Sequence, residues 1–371
     1  MGQHNPASDS RTKAVFVVNT PAQAHQFRPV VRSLSEQGHE PLILARDYGC
    51  TVDLLEYHGL PYEVYGSVGM EQSSLYRTIP VHYYQIFKRV RQFDPDVVFG
   101  RSVFAAHAGL LTRTPSVLVV DSEVTSIDHR LSQPVADYIL TPHTFEKDLG
   151  NRHFSFEGFT ECAYLHPEVW ERQTDIRSEL GLDPDERYAV LRFNCLRAHH
   201  DVGESGFTIE QRNRLIEALS EAVTVLVSDE AAEGGASSTS ARAFDIHPAL
   251  MHDALAEADL LVADTQTMVT EAALLGTPAI RSNSFVGESD MGNFVELEEA
   301  GLIRNHERFR DVLDSSRELL GDESVQETWT TRAEEYMSDK VNLRDLLVDV
   351  VASFDSIERF ERLDRQQPVV Q

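Results

Sequence analysis

Lysine is scarce in this sequence. Only four of its 33 basic residues are lysines (Lys13, Lys88, Lys147 and Lys340), and 60 acids bring the formal charge to −27. Such a surface is tolerable where molar salt shortens the Debye length to about 3 Å, so we expect a halophilic, archaeal protein. The same acidic excess argues against a nucleic-acid partner, which requires a basic face.

Cysteine is also scarce, and long apolar runs are absent. The three cysteines, Cys50, Cys162 and Cys195, are widely spaced in 371 residues, which fits neither a disulfide framework nor a metal finger. No run approaches the roughly 20 apolar residues that span a bilayer, and residues 1–12 are too polar for a signal peptide. We therefore expect a cytoplasmic protein with disordered ends at 1–12 and 363–371.

Short apolar runs alternate with helical patterns along the whole chain. The first half has five runs of strand length, at 14–18, 41–45, 96–99, 116–120 and 137–140. The second half has four more, at 188–193, 223–227, 258–263 and 279–280. Alternating strands and helices predict an α/β fold with parallel sheets. With 42% hydrophobic residues, the chain is long enough for two domains with cores of their own.

The rhythm of strands and helices breaks once, and this break predicts the domain boundary. We expect an N-terminal domain at 13–155, a hinge at 156–167 and a C-terminal domain at 168–340, with a cleft between the two. A helical segment at about 341–361 could cross back onto the first domain. Open α/β sheets bind ligands at the carboxyl ends of their strands, so polar residues that follow strands are the candidates for function.

The most informative segment, residues 264–281, combines a strand end, a polar turn and a short helix. The turn contains Thr265, Gln266 and Thr267, and it presents free backbone N–H groups and the positive end of a helix. Such a turn most often holds a phosphate. Glu271 lies one helical turn further on, close enough to accept a hydrogen bond from a sugar hydroxyl. The segment therefore predicts an anion-binding turn, and whether it serves a nucleotide-sugar is the question that the rest of the sequence has to answer.

A second polar loop follows the strand at 188–193. It contains Arg197, His199, His200 and Asp201, which together could bind a diphosphate and balance its charge. The alternative is an ordinary exposed polar loop. A metal site would need further ligands that the sequence does not supply, so we expect neither a metal nor a cofactor other than the nucleotide-sugar substrate.

Four candidate residues follow strands in the first half. His25 could take a proton from an acceptor hydroxyl, or it could be a capping or packing histidine. Arg101 follows one strand and could hold an anionic group. Asp121 and Glu123 follow the next strand, where carboxylates could act as acid and base, bind substrate hydroxyls or cap the following helix; we favour a functional role.

The window 72–93 contains no acid, although acids make up 60 of the 371 residues. Its four bases, which lie among tyrosines and phenylalanines, are Arg77, Lys88, Arg89 and Arg91. A basic, aromatic helix could dock on anionic lipid or a lipid-phosphate acceptor, which would make 76–93 a peripheral contact with the inner face of the membrane. We favour the alternative, in which the apolar residues belong to the core. Those core residues would be Tyr83, Ile86, Phe87 and Val90.

The segment 264–281 resembles the donor-binding segment of the non-hydrolysing UDP-N-acetylglucosamine 2-epimerases and, more broadly, of GT-B glycosyltransferases. In the epimerases it reads Asp-Ser-Gly-Gly-x-x-x-Glu and then Leu-Gly-x-Pro. The loop at 198–201 falls where they carry Thr-Gly-His-Arg-Arg, and 129–142 is similar to their Asn-Arg…Asp-x-x-Phe-x-Pro. Over residues 13–320 the chain is most similar to an archaeal family of unknown function, with Asn-Thr-Pro, Ala-His-His-Asp and Thr-Met-x-x-Glu-Ala in this order.

The resemblance implies a GT-B fold, that is, two Rossmann-like domains. It gives phosphate-binding positions to Thr265, Gln266 and Thr267, and the ribose-binding position to Glu271. Two departures from the epimerases matter. Gln266 and Thr267 replace two glycines, so the backbone cannot approach a diphosphate as closely. Arg101 replaces an aspartate of the acid–base set, and an arginine cannot abstract a proton.

These departures favour sugar transfer over epimerisation. We expect a metal-independent glycosyltransferase that acts in surface polysaccharide or glycoconjugate synthesis, with a sugar or a lipid-linked acceptor. His25 is the candidate base, while His199 or Arg197 stabilises the leaving diphosphate. The alternatives are a 2-epimerase-like enzyme, which would use Asp121 or Glu123 with a histidine, and a non-catalytic protein that binds nucleotide-sugars.

Overall fold

The computed structural model describes residues 11–67, 72–123, 126–193, 206–229, 240–283, 286–287 and 290–365. The chain divides into two compact units. The first comprises Met1–Val169 and Val341–Gln371, and the second comprises Trp170–Lys340.

The first unit contains an eight-stranded sheet. Its strands are β1 (Lys13–Val18), β2 (Glu40–Asp47), β3 (Tyr62–Ser67), β4 (Val97–Gly100), β5 (Ser116–Val119), β6 (Tyr138–Pro142), β7 (His153–Phe156) and β14 (Asp364–Arg365). Its helices are α1 (Pro21–Glu36), α2 (Thr51–Tyr57), α3 (Gln72–Phe93), α4 (Val103–Thr112), α5 (Ser126–Ser132) and α13 (Leu343–Ala352). The strand order is β14-β7-β6-β5-β4-β1-β2-β3, and only β14 runs antiparallel to its neighbour.

The order of the strands reverses between β1 and β4, which pair in parallel with Val17 opposite Gly100. Ligands of open α/β sheets bind outside the carboxyl ends of strands at such a reversal. The central strands are buried on both faces, as in β4, where all four residues are buried, because helices cover both sides of a parallel sheet. The residues after β1, β4 and β5 therefore share one edge.

The second unit contains a six-stranded, fully parallel sheet. Its strands are β8 (Tyr188–Phe193), β9 (Thr224–Asp229), β10 (Ala241–Ala243), β11 (Leu260–Ala263), β12 (Ala279–Arg281) and β13 (Ile303–Asn305). Its helices are α6 (Ile176–Glu179), α7 (Ile209–Ser220), α8 (Met251–Ala256), α9 (Thr267–Leu274), α10 (Gly292–Glu299), α11 (Phe309–Gly321) and α12 (Val325–Met337). The order is β10-β9-β8-β11-β12-β13, which confirms the predicted α/β fold with parallel sheets.

The segment expected as a hinge, 156–167, belongs to the first unit instead. Phe159, Cys162 and Tyr164 in this segment are at most 2% exposed. Residues Thr160–Ala163 form a short 3₁₀ helix that packs against α1 and α13. The change from one unit to the other comes only after Val169. An irregular sequence pattern here reflects a packed turn rather than a linker.

Some residues that were expected to be disordered, 11–12 and 363–365, are part of the described structure, whereas 1–10 and 366–371 lie outside it. Thr12 is buried, and its backbone N–H donates to Nδ1 of His39 at 3.1 Å. At the other end, Leu363 is buried and Asp364 pairs with Ser155 across β14 and β7. A hydrogen bond to a side chain thus holds Thr12, and strand pairing holds Asp364. In the part of the chain that the structure describes, no helix has the length and hydropathy of a membrane span.

Candidate functional site

The turn between β11 and α9 is the anion-binding candidate of the second unit. The helix begins at Thr267, and Gln266 precedes it without a side-chain cap. The first amides of a helix have no intrahelical acceptor. Here the N–H of Val269 bonds to the carbonyl of Gln266, so the amides that a ligand can use are those of Thr267 and Met268. The hydroxyl of Thr265 is buried and makes no hydrogen bond in the described chain. A bound anion would satisfy all of these donors.

Glu271 lies on the same helix, and its side chain is enclosed by protein. Its Oε1 atom is 3.1 Å from Nε2 of His252 on α8, and each side chain is 2% exposed. The histidine compensates the buried carboxylate, which would otherwise be costly to remove from water. A sugar hydroxyl that bonds to Glu271 would therefore have to share the carboxylate with His252.

The described residues on either side of the loop with the second set of predicted donor residues lie beside this turn. Arg197, His199, His200 and Asp201 themselves lie outside the described residues. On one side of them, β8 ends at Phe193, and its residue Arg192 pairs with Ala263 of β11. On the other side, Gly206 and Phe207 lie against Asp264.

Asp264 is a buried anchor at the end of β11. Its Oδ2 atom accepts the backbone N–H of Phe207 at 3.1 Å and lies 4.0 Å from the buried guanidinium of Arg212. Gly206 fits only because it has no side chain, since a Cβ atom there would lie 2.0 Å from that same oxygen. Phe193 and Gly206, the described residues on either side of 194–205, thus lie next to the turn that contains Thr265.

A buried ion pair organises the residues after β12. Arg281 is fully buried and makes two hydrogen bonds to Asp290, at 2.7 and 2.8 Å. Its guanidinium also lies 3.6 Å from the ring centroid of Phe294. Next to this pair is a recess of about 830 Å³ lined by Asp290, Asn305 and His306 among others. The recess is large enough for a nucleoside-sized group. Burial lowers the pKa of His306, one of the residues that line it.

In the first unit, Asn19 connects the carboxyl ends of four strands. Its side chain accepts from the hydroxyl of Tyr65 at 2.6 Å and donates to Ser102 at 2.8 Å. Its backbone N–H donates to Gln23 at 2.7 Å, and its carbonyl accepts from Arg46 at 3.0 Å. Every polar group of Asn19 is used, so it holds the loops of this edge together and is more than an ordinary turn residue.

Arg101 and Asp121, predicted separately from two strand ends, form a salt bridge with each other. Arg101 also donates to Gln26 at 3.2 Å. Burial lowers the pKa of the Arg101 guanidinium, an effect that the nearby Glu161 and Tyr164 oppose. The positive charge at this edge is therefore already neutralised in part before any anion binds.

The hydroxyl of Thr160 brings two carboxylates close together beside this pair. Its oxygen lies 3.0 Å from Oδ2 of Asp121 and 3.1 Å from Oε2 of Glu161. A hydroxyl has a single proton to donate. The hydroxyl can therefore donate to one of the two carboxylates or share its proton between both. The sequence did not point to Glu161, because it follows no predicted strand.

Two predicted site residues have other surroundings than expected. His25 lies within α1, is 3% exposed, and has its ring centroid 5.7 Å from that of Tyr164. Glu123 accepts the backbone N–H of Glu146 at 2.9 Å, which ties two loops together. The roles of both residues in catalysis stay predictions. Among the described residues, no group of three or more His, Cys, Asp or Glu could hold a metal.

Two Rossmann-like units with these parallel sheets define a GT-B fold, and solved structures agree. The Staphylococcus aureus protein MnaA, solved with UDP, superimposes with a TM-score of 0.68 at 12% identity, over 93% of this chain and 97% of that one. The UDP-GlcNAc 2-epimerase of Neisseria meningitidis bound to UDP-GlcNAc gives 0.61 at 12%, over 93% and 98%. The glycosyltransferase VinC in complex with dTDP gives 0.60 at 15%, over 92% and 100%.

The chain belongs to the family described as protein of unknown function DUF354, whose model matches residues 14–288. This confirms the archaeal family of unknown function inferred from the sequence motifs. An uncharacterized protein of Methanocaldococcus jannaschii is 24% identical over 278 residues, which are 72% of this chain and 80% of that protein.

Proposed function

We propose that the protein binds a nucleotide-sugar and transfers the sugar to an acceptor without a metal ion. The observation that carries the proposal is the uncapped start of α9 beside the buried, unbonded hydroxyl of Thr265. Backbone amides and a helix end favour a phosphate there. The solved structures with UDP, UDP-GlcNAc and dTDP named above support the same ligand class.

The donor would be held by several groups around this turn. Thr265, Gln266 and Thr267 would hold the diphosphate, and Glu271 would accept from the ribose while His252 keeps its carboxylate in place. Arg197, His200 and Asp201, on the loop whose ends lie beside the turn, would complete the site. The helix end, with Arg197 or His199, would stabilise the charge on the leaving diphosphate, which is an electrostatic contribution to the rate.

The salt bridge between Arg101 and Asp121 favours transfer over epimerisation. A 2-epimerase needs a group that removes a proton from carbon, and Arg101 cannot do this. Asp121 forms an ion pair with Arg101 and accepts a hydrogen bond from Thr160, so its charge compensates that of Arg101. We propose that this pair orients an anionic or hydroxyl group of a sugar or lipid-linked acceptor, with His25 as candidate base.

An epimerase-like reaction is the second candidate, and one observation favours it. The carboxylates of Asp121 and Glu161 both contact the hydroxyl of Thr160, and two neighbouring carboxyl groups can act as acid and base. In this reading Asp121 or Glu123 acts together with a histidine on a UDP-N-acetylhexosamine.

Proton NMR of UDP-sugars in D₂O separates these functions. A transferase consumes the donor only after an acceptor is added, and it leaves the configuration at C2 unchanged. An epimerase inverts C2 without an acceptor and incorporates deuterium there. Binding of UDP by calorimetry without turnover under any acceptor would leave a non-catalytic nucleotide-sugar-binding protein. A failure to bind any nucleoside diphosphate would refute all three.

A further inference from the structure

Three neighbouring helices of the first unit expose an unusual amount of apolar surface. Of the eleven large apolar side chains that are exposed in the described chain, six lie on α3, α4 and α5. We call them the α3–α5 surface: Val81, Tyr84, Leu110, Leu111, Ile127 and Leu131, which are 51–76% exposed. Transfer of such side chains out of water is favourable. A cluster of exposed apolar side chains therefore indicates a surface that binds another protein or a membrane.

A histidine joins the three helices that carry these side chains. Nδ1 of His107 on α4 is 3.0 Å from the hydroxyl of Tyr83 on α3. Its Nε2 atom is 3.2 Å from the carbonyl oxygen of Leu131 on α5. Leu110 and Leu111 follow His107 by three and four residues, which places them one turn further along α4.

The α3–α5 surface also differs from the rest of the chain in charge. The three helices have 22, 10 and 7 residues. At the average of 60 acids in 371 residues, these 39 residues would contain about six acids, yet they contain one, Asp128. Its carboxylate accepts the backbone N–H of Val103 at 3.1 Å. Five bases against one acid give a net charge of +4 on a chain of −27.

On α3 the exposed apolar and basic residues share one face. Val81, Tyr84, Lys88 and Arg91 follow each other at intervals of three, four and three residues, and all four are exposed. This spacing corresponds to a single stripe on a helix. The core residues predicted for this helix lie elsewhere on it, with Ile86 and Val90 at most 1% exposed. Of the four predicted core residues, Ile86 and Val90 are thus buried, whereas Tyr83 and Phe87 are half-buried.

We propose that the α3–α5 surface docks the protein on the surface of an anionic lipid bilayer. The exposed side chains project from the outer faces of the helices. A fluid lipid interface can accommodate them without a complementary shape. The cations beside them complement anionic headgroups, whereas they would be repelled by a second copy's basic surface. This proposal depends on apolar exposure and charge alone and is independent of the proposed enzymatic activity.

Flotation of the full chain with lipid vesicles tests the proposal. We expect binding to vesicles of equimolar phosphatidylcholine and phosphatidylglycerol, and at least about tenfold weaker binding to phosphatidylcholine alone. The double variant Lys88→Ala/Arg91→Ala should lose about 25-fold in partitioning, from about fivefold for each cation near the surface. The matched control Arg308→Ala/Arg310→Ala, which removes two exposed cations of the second unit, should bind like the wild type.

The apolar contribution is tested in the same assay. Leu110→Ser/Leu111→Ser should weaken binding by about tenfold or more. Ile209→Ser/Val295→Ser, which changes two similarly exposed side chains of the second unit, should have no effect. All four variants alter exposed residues, and their thermal midpoints verify that each is folded. Equal losses in the test and control variants would overturn the proposal, as would failure of the wild type to bind anionic vesicles.

Fluorescence provides a second readout that does not depend on removing a residue. Tyr84→Trp places an indole on the proposed surface, and Ile209→Trp places one outside it. With anionic vesicles we expect a blue shift and quenching by brominated lipid for Tyr84→Trp only. An acidic protein as the true partner would leave both variants unchanged by lipid, and the proposal would then be wrong.

Discussion

Glu271 and His252 form a buried pair that joins α9 to α8, with 3.1 Å between Oε1 and Nε2. The pair lies one helical turn after the proposed phosphate site. It therefore connects the proposed ribose contact to the packing of two helices. Substitutions of Glu271 and of His252 should therefore affect ligand binding and stability to different degrees.

We expect Glu271→Ala to reduce the affinity for UDP by about 10- to 100-fold, the equivalent of a hydrogen bond to a charged group. His252→Ala should mainly lower the free energy of unfolding, by about 1–3 kcal/mol, because the buried carboxylate loses this donor. Calorimetry with UDP and urea unfolding measure the two effects. Glu299→Ala, an exposed glutamate on α10, is the matched control. An unchanged affinity in Glu271→Ala would refute the proposed ribose contact.

Gly206 has no room for a side chain beside Asp264, where an added Cβ would lie 2.0 Å from Oδ2 and 2.6 Å from Cγ. We expect Gly206→Ala to destabilise the protein by about 1–3 kcal/mol, as overpacking of a rigid site does. Gly321→Ala is the control, because nothing lies within 4 Å of its added Cβ. Urea unfolding of both variants measures the difference, and equal stabilities would contradict the close approach.

The buried pair of Arg281 and Asp290 should be far more important for stability than an exposed one. Asp290→Ala leaves a fully buried guanidinium without its counter-ion, which costs about 3–5 kcal/mol. Asp311→Ala removes the partner of Arg308, whose side chain is 81% exposed, and should cost less than about 1 kcal/mol. Chemical denaturation checks both values. Similar decreases in the free energy of unfolding in the two variants would show that the burial of Arg281 does not determine the strength of its ion pair.

Burial of His153 should make the stability depend on pH. Its pKa is lowered from 6.5 to about 4 by burial, and its ring contacts the Thr141 hydroxyl at 2.8 Å and accepts the N–H of Leu149. A lowered pKa means that the unfolded chain binds the proton first. The stabilising contribution is thus complete above pH 6.5 and is lost as the pH falls towards 4, by about 2 kcal/mol at pH 5.

The variant His153→Gln isolates this contribution from that of other groups. It should flatten the change in unfolding free energy between pH 7 and pH 5 by the same amount, about 2 kcal/mol. Burial also lowers the pKa of His82, His129 and His306, and these remain in both proteins. Identical pH profiles of the wild type and the variant would contradict a buried, neutral His153.

The elements that the sequence predicted correctly have one property in common. Strands such as β1, β4 and β11 are continuous apolar runs, because both faces of a parallel sheet are buried. By contrast, β3 and β7 were missed. β3 is an edge strand whose residues are mostly half-exposed, and β7 (His153–Phe156) lies directly before the segment interpreted as a hinge and shares only Phe156 with it. Neither has the apolar run that identifies a central strand.

The sequence by itself determined the class of fold, the family and the turn from Asp264 to Thr267 with its short helix, because these depend on local patterns of apolar and polar residues. Only the tertiary structure decided which residues act as pairs. Arg101 bonds to Asp121 from a different strand, and His252 reaches Glu271 from a different helix. The α3–α5 surface likewise combines three segments of the chain. Such contacts depend on how strands are ordered and helices packed, and neither is encoded in any short stretch of residues.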